Sequence, residues 1–595
     1  MGTPQGPHLI EGVLQCFESA GYSRDVVHQT GLIAVFAEVI KQTYFSIRTI
    51  FPFVAVVLLV TVWLLFRRLW PALIALGVAL IGVIWTMGFA VLLDRQINIL
   101  MGAVPAIVLI IAFSDIVHLC SAYLLELADN PDKERAILAA GEDVGRACLF
   151  TSLTTFVGFV SLSLVPTPVF RQLGLVLGFG VAIALLLALT LVPILFSIIR
   201  KPKPLRTGAT ASIHRWLDET LVRAERLSTH HPVWTLAGFA TVFLISLVGL
   251  SRLRIETDLG KRLAESNPIR VDQKWFAERF AGSSIIDVFV TPPTAKTLRD
   301  PEWLSHVADF QRVLKTVPFV DSAHSIVDVI EMLHTAETDA FVKLQATPES
   351  RETLNQIMLI LKIGGEKELS RLVDFDTGQI RIAVRTRVEG FRGIAAIGEQ
   401  IEALGCERLG SVARVEVSGL ACLFGGWLDN ILRGQRNGLL LCVSSLTIMM
   451  VLCVRSFRVG CLSMLPNLFP VIVLGGLLGG LWEQTDSDLL SLAFLAISIG
   501  VDDTIHFLTR YRLETARSKD TAEAIRRTFA FAGRAIVMTT VILVAGFLPF
   551  ATSDYFCIRV FGTLFPVCLI AAVVADLLLV PAMVQLGLMR YARRQ

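Results

Sequence analysis

Three ionisable side chains lie in the middle of an apolar stretch of this 595-residue chain. Asp502, Asp503 and His506 fall within residues 489–508, a run long enough to cross a bilayer as a helix. An ionisable group at that depth costs about 2.5–3.5 kcal/mol on insertion scales and marks an ion or proton pathway by default. Helical spacing lets His506 share a face with either carboxylate. The sequence therefore predicts a proton-binding or ion-binding turn inside a membrane helix.

The chemistry open to this turn is the uptake and release of a proton. Two adjacent carboxylates in a medium of low dielectric constant cannot both ionise cheaply, and a nearby imidazole can share the charge or relay the proton. Binding of Na⁺ by the same carboxylates is an alternative, and so is a buried polar cluster that only holds helices together. We expect no cofactor and no metal, with H⁺ favoured over Na⁺ as the coupling ion.

The composition is that of a polytopic membrane protein. Hydrophobic residues make up 54% of the chain and charged residues 18%, whereas charged residues make up about 25% of soluble domains. The ten cysteines show no zinc or redox spacing, and Cys406 and Cys422 are candidates for a single disulfide. Eleven runs are apolar enough to span a bilayer: 50–66, 71–93, 99–125, 147–165, 173–199, 233–250, 438–454, 461–482, 489–508, 535–551 and 560–586.

The alternation of apolar runs and polar segments predicts the domain organisation. Lys and Arg concentrate in the loops on one side of the spans, which the positive-inside rule makes cytoplasmic. The alternating stretches 285–290, 380–386 and 413–417, with helical stretches 303–314 and 394–404 among them, predict a domain of strands and helices outside the bilayer. The expected segments are a remnant of a first extracytoplasmic domain (1–48), a first membrane bundle of five spans (49–199), a cytoplasmic linker with an amphipathic helix (200–231), the first span of a second repeat (232–250), an extracytoplasmic α+β porter-like domain (251–436), a second membrane bundle of five spans (437–587) and a cytoplasmic tail (588–595).

The two halves of the chain align without gaps at an offset of 388 residues. Asp115 falls on Asp503 and His118 on His506, but Ser114 stands where the second half has Asp502. Such a register predicts two helix bundles related by parallel duplication. Further matched pairs are Gly31/Gly419, Arg67/Arg455, Thr151/Thr539, Gly158/Gly546, Gly174/Gly562 and Pro193/Pro581.

The front of the first repeat is shorter than that of the second. Residues 232–418 precede Gly419 in the second repeat, whereas only residues 1–30 precede Gly31 in the first. We expect either a mis-assigned start or a shortened or divided gene, or an eleven-span protein that works with a partner supplying the rest.

Several motifs resemble the resistance–nodulation–division (RND) superfamily. They are Gly500-Val-Asp-Asp-Thr-Ile-His506, the basic segment 510–534, Met538-Thr-Thr540 with Gly546-Phe-Leu-Pro549, and Asp576-Leu-Leu-Leu-Val-Pro581. The chain is most similar to the predicted-exporter branch, which is allied to the mycobacterial membrane-protein-large (MMPL) family, hopanoid transporters and Patched-type proteins with a sterol-sensing domain. The resemblance implies a polytopic α-helical membrane protein in which protonation of central Asp residues drives hydrophobic substrate through porter domains.

The resemblance also implies a set of proton-relay residues. Asp503 with Asp115 is expected to form the core of the relay, and Asp502 to tune it. The Thr and Ser hydroxyls either extend the relay or bond back to their own helices, and Asp576 either assists the relay or has a structural role near Pro581. The predicted relay comprises Asp115, His118, Asp502, Asp503, His506, Thr539 and Thr540, with Ser114, Thr151, Ser152 and Asp576 as auxiliary candidates.

The function predicted on this basis is secondary active transport. We expect a multi-pass protein of the bacterial inner (cytoplasmic) membrane that uses the proton-motive force to export lipid or other hydrophobic molecules. The alternative is a non-transporting lipid-sensing or sterol-sensing protein, or an accessory subunit, on the same fold. An enzyme is not expected, because the chain has no Gly-x-x-x-x-Gly-Lys phosphate loop and no nucleophile elbow. Expected partners are membrane lipids and a hydrophobic substrate, not nucleic acid; a homo-oligomer and a periplasmic partner are both left open.

Overall fold

The computed structural model of the chain divides into two compact units. Met1–Val39 and Glu256–Asn430 form one, called the sheet unit below, and Ile40–Ile255 with Ile431–Gln595 form the other, called the membrane unit. The predicted class, a polytopic helical membrane protein with a small sheet, is confirmed. The structure describes residues 5–95, 98–129, 132–202, 211–258, 260–280, 284–338, 351–359, 369–388, 390–481, 484–487, 490–518 and 520–589.

Helices make up most of both units. The α-helices are α1 (Gln5–Ser19), α2 (Leu32–Phe66), α3 (Leu69–Leu93), α4 (Val104–Asp129), α5 (Lys133–Leu162), α6 (Pro168–Ile198), α7 (Ala211–His230), α8 (Pro232–Arg252), α9 (Pro268–Arg279), α10 (Pro301–Leu314), α11 (Ile326–Thr338), α12 (351–359), α13 (Phe391–Leu409), α14 (Leu420–Val454), α15 (Phe457–Leu462), α16 (Met464–Leu481), α17 (Leu490–Arg517), α18 (Thr521–Thr528), α19 (Arg534–Phe547), α20 (Phe556–Val574) and α21 (Val580–Gln585). The strands are β1 (Arg254–Ile255), β2 (Ser284–Thr291), β3 (Val320–His324), β4 (Ile380–Thr386), β5 (Arg414–Ser418) and β6 (Gln484–Thr485).

Ten helices within the described residues are long and apolar enough to span a membrane. An eleventh span results if α5 is counted, whose halves Lys133–Glu142 and Ala147–Leu162 meet at a bend of 40°. The first spans of both five-span bundles are longer than predicted, since α2 begins at Leu32 and α14 at Leu420. Their first turns carry charged residues such as Glu38 and Lys41, so an apolar window does not detect them.

The internal repeat is visible in the helix boundaries. Helices α2 and α14 each have 35 residues, and both their first and their last residues are 388 positions apart. Helix α3 corresponds at the same offset to α15 and α16 taken together, and the starts of α5 and α6 correspond to those of α18 and α20. The two bundles therefore share one pattern of helices as well as one pattern of residues.

The turn after the first span of each five-span bundle has an unusual backbone. Arg67 has φ of 52° and Arg455 has φ of 54°, the left-handed region that ordinary L residues avoid. Each arginine directly follows its span, α2 or α14. The same strained conformation thus occurs at equivalent positions of the two halves.

Two π-helical turns interrupt helices of the second bundle. The first, Phe529–Gly533, joins α18 to α19 and corresponds in the repeat to the bend in α5. The second, Ala575–Leu579, joins α20 to α21 just before Pro581. Proline has no N–H and its ring clashes with the carbonyl four residues earlier, here that of Leu577. Proline alone does not produce the wide turn, since α6 runs through the repeat mate Pro193 as one α-helix.

The helices that carry the ionisable residues pack reciprocally. Helix α4 lies against α19, and α17 lies against α5, which is the same contact with the two repeats exchanged. Gly158 of α5 faces Ser498 of α17, and its repeat mate Gly546 faces Ile110 of α4 at 2.8 Å from the position a Cβ would take. A pseudo-two-fold relation therefore passes between α4 and α17.

The sheet unit has its own hydrophobic core. Its four strands run antiparallel in the order β3-β4-β2-β5. Ile286, Val288 and Val290 of β2 and the alternate residues of β4 are buried, whereas the intervening residues are partly exposed. Strands β2, β4 and β5 cover the three stretches predicted as strands, but β3 (Val-Asp-Ser-Ala-His) was missed because it is short and polar. Cys406 and Cys422 are free thiols.

Candidate proton-relay site

Two buried helices present the predicted relay residues. Helix α4 carries Ser114, Asp115 and His118, and α17 carries Asp502, Asp503 and His506. The side chains from α4 and that of Asp503 are buried, whereas Asp502 and His506 retain 18% and 13% side-chain exposure. The residues next to these on both helices are mainly buried apolar side chains of the core, such as Phe113, Val501 and Ile505.

Each repeat gives one carboxylate a hydroxyl partner. Ser152 Oγ of α5 donates to Asp115 Oδ2 at 3.3 Å, and Thr540 Oγ1 of α19 donates to Asp503 Oδ2 at 3.4 Å. Ser152 and Thr540 are themselves repeat mates. These two hydrogen bonds are therefore one interaction that the duplication has produced twice.

The two histidines meet between the repeats. The rings of His118 and His506 stack with centroids 4.8 Å apart and planes inclined by 21°. His506 Nε2 also lies 3.3 Å from Asp502 Oδ1, although the two groups are not aligned as a hydrogen bond. Nε2 of His118 has no hydrogen-bond partner among the described residues. The pair can thus hold one positive charge next to Asp502, but two stacked imidazolium rings would repel each other.

A small cavity joins the carboxylates of the two repeats. It has about 20 Å³ of room for water, on the order of one water molecule. Both Asp115 and Asp502 line it, together with Ile499 and Leu543. A water held there would have several polar partners, so a proton could pass between α4 and α17. The other polar residues lining it are Ser114, Thr151, Ser152 and Thr155.

Most of the hydroxyls predicted for the relay also bond to their own helices. Thr151 Oγ1 donates to the Cys148 carbonyl at 3.1 Å, and the Thr539 hydroxyl has its one proton within reach of the carbonyls of Ala535 and Ile536. Thr540 is 2.8 Å from the Ile536 carbonyl, closer than it is to Asp503. Of these hydroxyls, that of Ser152 has the contact best suited to proton transfer.

The carboxylate that shares the cavity with Asp115 is Asp502, not Asp503. We expected Asp503 to pair with Asp115 because the two are repeat mates. Neighbouring residues on a helix point about 100° apart, and here Asp503 is turned towards Thr540 while Asp502 faces the cavity. The residue without an acidic mate is therefore the one at the contact between the repeats.

Asp576 belongs to a second polar cluster that the sequence did not indicate. Its carboxyl Oδ1 lies 2.5 Å from Thr504 Oγ1, which in turn lies 3.0 Å from Asn467 Oδ1 of α16. All three side chains are buried. Asn467 is a polar amide in an otherwise apolar span, and this is the sequence signal that could have indicated the cluster.

A metal ion is the competing occupant of the histidine pair. His118, Asp502 and His506 each offer one ligand atom, and these atoms lie within 4.8 Å of one another. Three donors fall short of the four protein ligands of a structural zinc site but equal the three of a catalytic one. The expectation of no metal therefore stays a prediction, and the same three groups can also take up and release a proton.

A family model described as the MMPL family matches residues 2–230 and 382–593, which is most of the chain. The chain belongs to the MMPL family. The matched regions of this MMPL protein include α4, α5, α17 and α19, the helices that build the site. The family match and the ten candidate spans agree that this is a multi-span membrane protein.

Two curated relatives match part of this MMPL protein. A membrane protein of Methanocaldococcus jannaschii is 31% identical over 141 residues, which are 24% of this chain and 36% of that protein. The membrane protein YdfJ of Bacillus subtilis is 26% identical over 221 residues, 34% of this chain and 29% of that protein. The matches thus span about a third of the length of each relative.

Proposed function

We propose that this MMPL protein is a secondary active transporter that exports lipid or another hydrophobic molecule across the bacterial inner membrane. In this proposal the energy comes from protons that move down their gradient through the cluster of Asp115, Asp502 and the stacked histidines. The observation that carries it is the cavity in which carboxylates from both repeats face each other across α4 and α17. No cofactor is needed for such coupling.

Protonation would act on the cluster through charge. With both carboxyls ionised, Asp115 and Asp502 repel each other across the cavity. A positive charge on His506 would offset the charge of Asp502 but not that of Asp115. Binding of a proton to either carboxyl removes that repulsion. A charge that crosses the full membrane potential gains about 2.3 kcal/mol per 100 mV, enough to shift a two-state equilibrium more than tenfold.

The reciprocal packing of the repeats supports a link from proton binding to helix movement. Helix α4 touches α19 of the other repeat and α17 touches α5, so a change in the spacing of α4 and α17 is passed to both bundles. Since the contacts are equivalent, rocking of one bundle against the other exchanges two similar arrangements, as in transporters built from repeats. Proton binding would favour one of them.

The cargo is proposed from the surroundings of the helices. Large apolar side chains such as Trp234, Ile245 and Leu244 of α8 are exposed, and they would lie against lipid tails in the bilayer. A hydrophobic substrate can reach such a surface from the membrane itself. Membrane lipids would then be both the surroundings of the helices and the candidate cargo.

The test is proton flux through the full chain in liposomes that enclose a pH-sensitive dye. Asp502→Asn and Asp115→Asn should each abolish dye quenching after a pH jump, whereas Asp554→Asn, an exposed carboxylate outside the cluster, should leave it unchanged. A Na⁺ gradient replaces the pH gradient in a second arm, and a chelator is added in a third.

Four results would overturn the proposal. Flux that persists in both variants shows that protons take another path. Flux driven by Na⁺ alone identifies sodium as the coupling ion, and flux that depends on removal or addition of a metal identifies a metal site. A wild-type protein that binds fluorescent phospholipid but conducts no ion would favour the sensing or accessory role.

A further inference from the structure

The Thr504 hydroxyl has two oxygen atoms within hydrogen-bond distance, but only one proton to donate. Thr504 Oγ1 lies 2.5 Å from Asp576 Oδ1 and 3.0 Å from Asn467 Oδ1, and both partners are oxygens. A threonine hydroxyl has a single proton to donate. One of the two oxygens must therefore donate to Thr504 instead of accepting from it.

The orientation of Asn467 excludes its side chain as that donor. Its Nδ2 donates to the Ser463 carbonyl at 2.8 Å, and a carbonyl can only accept. If the amide were flipped, two oxygens would face each other at that distance. Asn467 therefore presents its oxygen to Thr504, and Thr504 uses its proton there.

We propose that Asp576 is held as a neutral carboxylic acid and is a positioning residue for the relay helix α17. Its proton would be donated to Thr504 Oγ1, and the Thr504 proton to Asn467, which gives a chain of hydrogen bonds in one direction. The chain ties α17 to α16 and to the π-turn at Ala575–Leu579. Thr504 directly follows Asp502 and Asp503, so its position sets how those carboxyls point.

The surroundings of Asp576 agree with a neutral group. The side chain is 1% exposed, and no Lys, Arg or His pairs with it among the described contacts. The charged groups near enough to interact with it are carboxyls, Asp502 and Asp503. A second negative charge there would be buried without a cation, whereas a carboxylic acid satisfies Thr504.

The first bundle lacks the whole cluster. The repeat mates of Asn467, Thr504 and Asp576 are Ala79, Ile116 and Ala188, and all three are fully buried apolar residues. The equivalent helix α6 also runs as one α-helix through Pro193, without the wide turn. The cluster is thus a specialisation of the second bundle, which is also the bundle with the additional carboxylate Asp502.

Infrared spectroscopy of the full chain in lipid nanodiscs tests the protonation state. The difference between wild type and Asp576→Asn at neutral pH should show loss of one protonated carboxyl band and no loss of carboxylate bands. Thr504→Val should shift that band to higher frequency, because the acid loses its acceptor. Loss of a carboxylate band in Asp576→Asn would overturn the inference.

Rescue by an isosteric side chain tests the positioning role, and this part rests on the proposed function. Asparagine can donate to Thr504 but cannot release a proton, so Asp576→Asn should keep proton flux within about twofold of wild type. Asp576→Leu removes the donor and should lower flux at least tenfold in protein that still elutes as a single species. A folded Asp576→Asn variant without flux would show instead that Asp576 carries protons itself. Should wild type conduct no protons, the proposed function fails and the infrared result still decides the protonation state.

Discussion

His118 and His506 stack with their ring centroids 4.8 Å apart although 388 residues separate them in the chain. They are repeat mates, so equivalent positions of the two repeats contact each other, as residues next to a two-fold axis do. Asp502 breaks this symmetry, because it pairs with His506 while Ser114 stands at the equivalent place in the first repeat. The two histidines are therefore chemically different, and their replacements should have different effects.

His506→Ala should damage the protein more than His118→Ala. It removes the imidazole that lies 3.3 Å from Asp502. Breaking a fully buried ion pair costs about 3–5 kcal/mol, and we expect a smaller loss here because Asp502 keeps 18% exposure. Thermal unfolding in detergent and proton flux in liposomes measure the two consequences. Equal losses in the two variants would show that the stack, rather than the ion pair, is what matters.

Ser152→Ala should reduce proton flux more than Thr540→Val does. The Ser152 hydroxyl donates to Asp115, whereas the Thr540 hydroxyl has a nearer acceptor in its own helix. A hydrogen bond to a charged group contributes about 1.5–3 kcal/mol, so the Ser152 variant should lose roughly tenfold or more in rate. Flux from a pH jump is the measurement. A larger loss of flux in Thr540→Val than in Ser152→Ala would indicate instead that the proton is transferred at Asp503.

Alanine at Gly174 or Gly562 should destabilise the membrane unit. These repeat mates lie against the backbone at the end of the preceding helix or turn, and a Cβ on Gly174 would come within 2.6 Å of the Phe159 carbonyl and the Ser163 nitrogen. Backbone cannot give way as a side chain can, so we expect a loss of about 1–3 kcal/mol. Gly88→Ala is the control, since nothing lies within 4 Å of its Cβ position. The measurement is the unfolding temperature in detergent. Equal unfolding temperatures for the Gly174, Gly562 and Gly88 variants would contradict this prediction.

Ile382→Ala should loosen the sheet unit. Ile382 is fully buried at the centre of β4, and truncation of such a side chain costs about 2–5 kcal/mol. Ile285→Ala is matched in chemistry but sits at a position 43% exposed, so its effect should stay within about 0.5 kcal/mol. Limited proteolysis of the full chain compares them. Similar cleavage rates would mean that the strands do not pack as described.

Asp374 in the sheet unit should contribute an acid-sensitive part of stability. The Thr377 hydroxyl donates to its carboxylate at 2.7 Å, with the Asp376 N–H on the other oxygen, and these bonds lower its pKa. Because the folded pKa is below the unfolded one, the contribution is present above about pH 3.9 and lost as the pH falls through the folded value. Asp374→Asn should remove this part of the acid dependence, measured as protease resistance against pH, and an unchanged profile would contradict it.

The sequence located the ionisable residues inside α4 and α17 but not their partners. Asp115, Asp502, Asp503 and both histidines were visible because charged residues within apolar helices are rare. Which of the adjacent carboxyls faces the other repeat depends on helix rotation, which spacing alone does not give. For that reason Asp503 was expected where the structure has Asp502.

The Asp576 cluster could not have been assembled from the sequence. Thr504 lies 37 residues from Asn467 and 72 from Asp576, on three different elements. None of the three residues indicates a cluster by itself, and the internal repeat does not point to them because their repeat mates are apolar. The spans predicted for α2 and α14 were too short for another reason. The first turns of these helices are amphipathic, and a search for apolar runs does not detect them.

The left-handed arginines Arg67 and Arg455 have a consequence for the history of the fold. An L residue in that conformation costs about 1–2 kcal/mol, so two unrelated loops would have little reason to adopt it at the same position. The turn is better understood as inherited with the ancestral half-protein and retained after duplication. This backbone conformation marks the boundary between the first two spans of either five-span bundle, even where side chains have diverged.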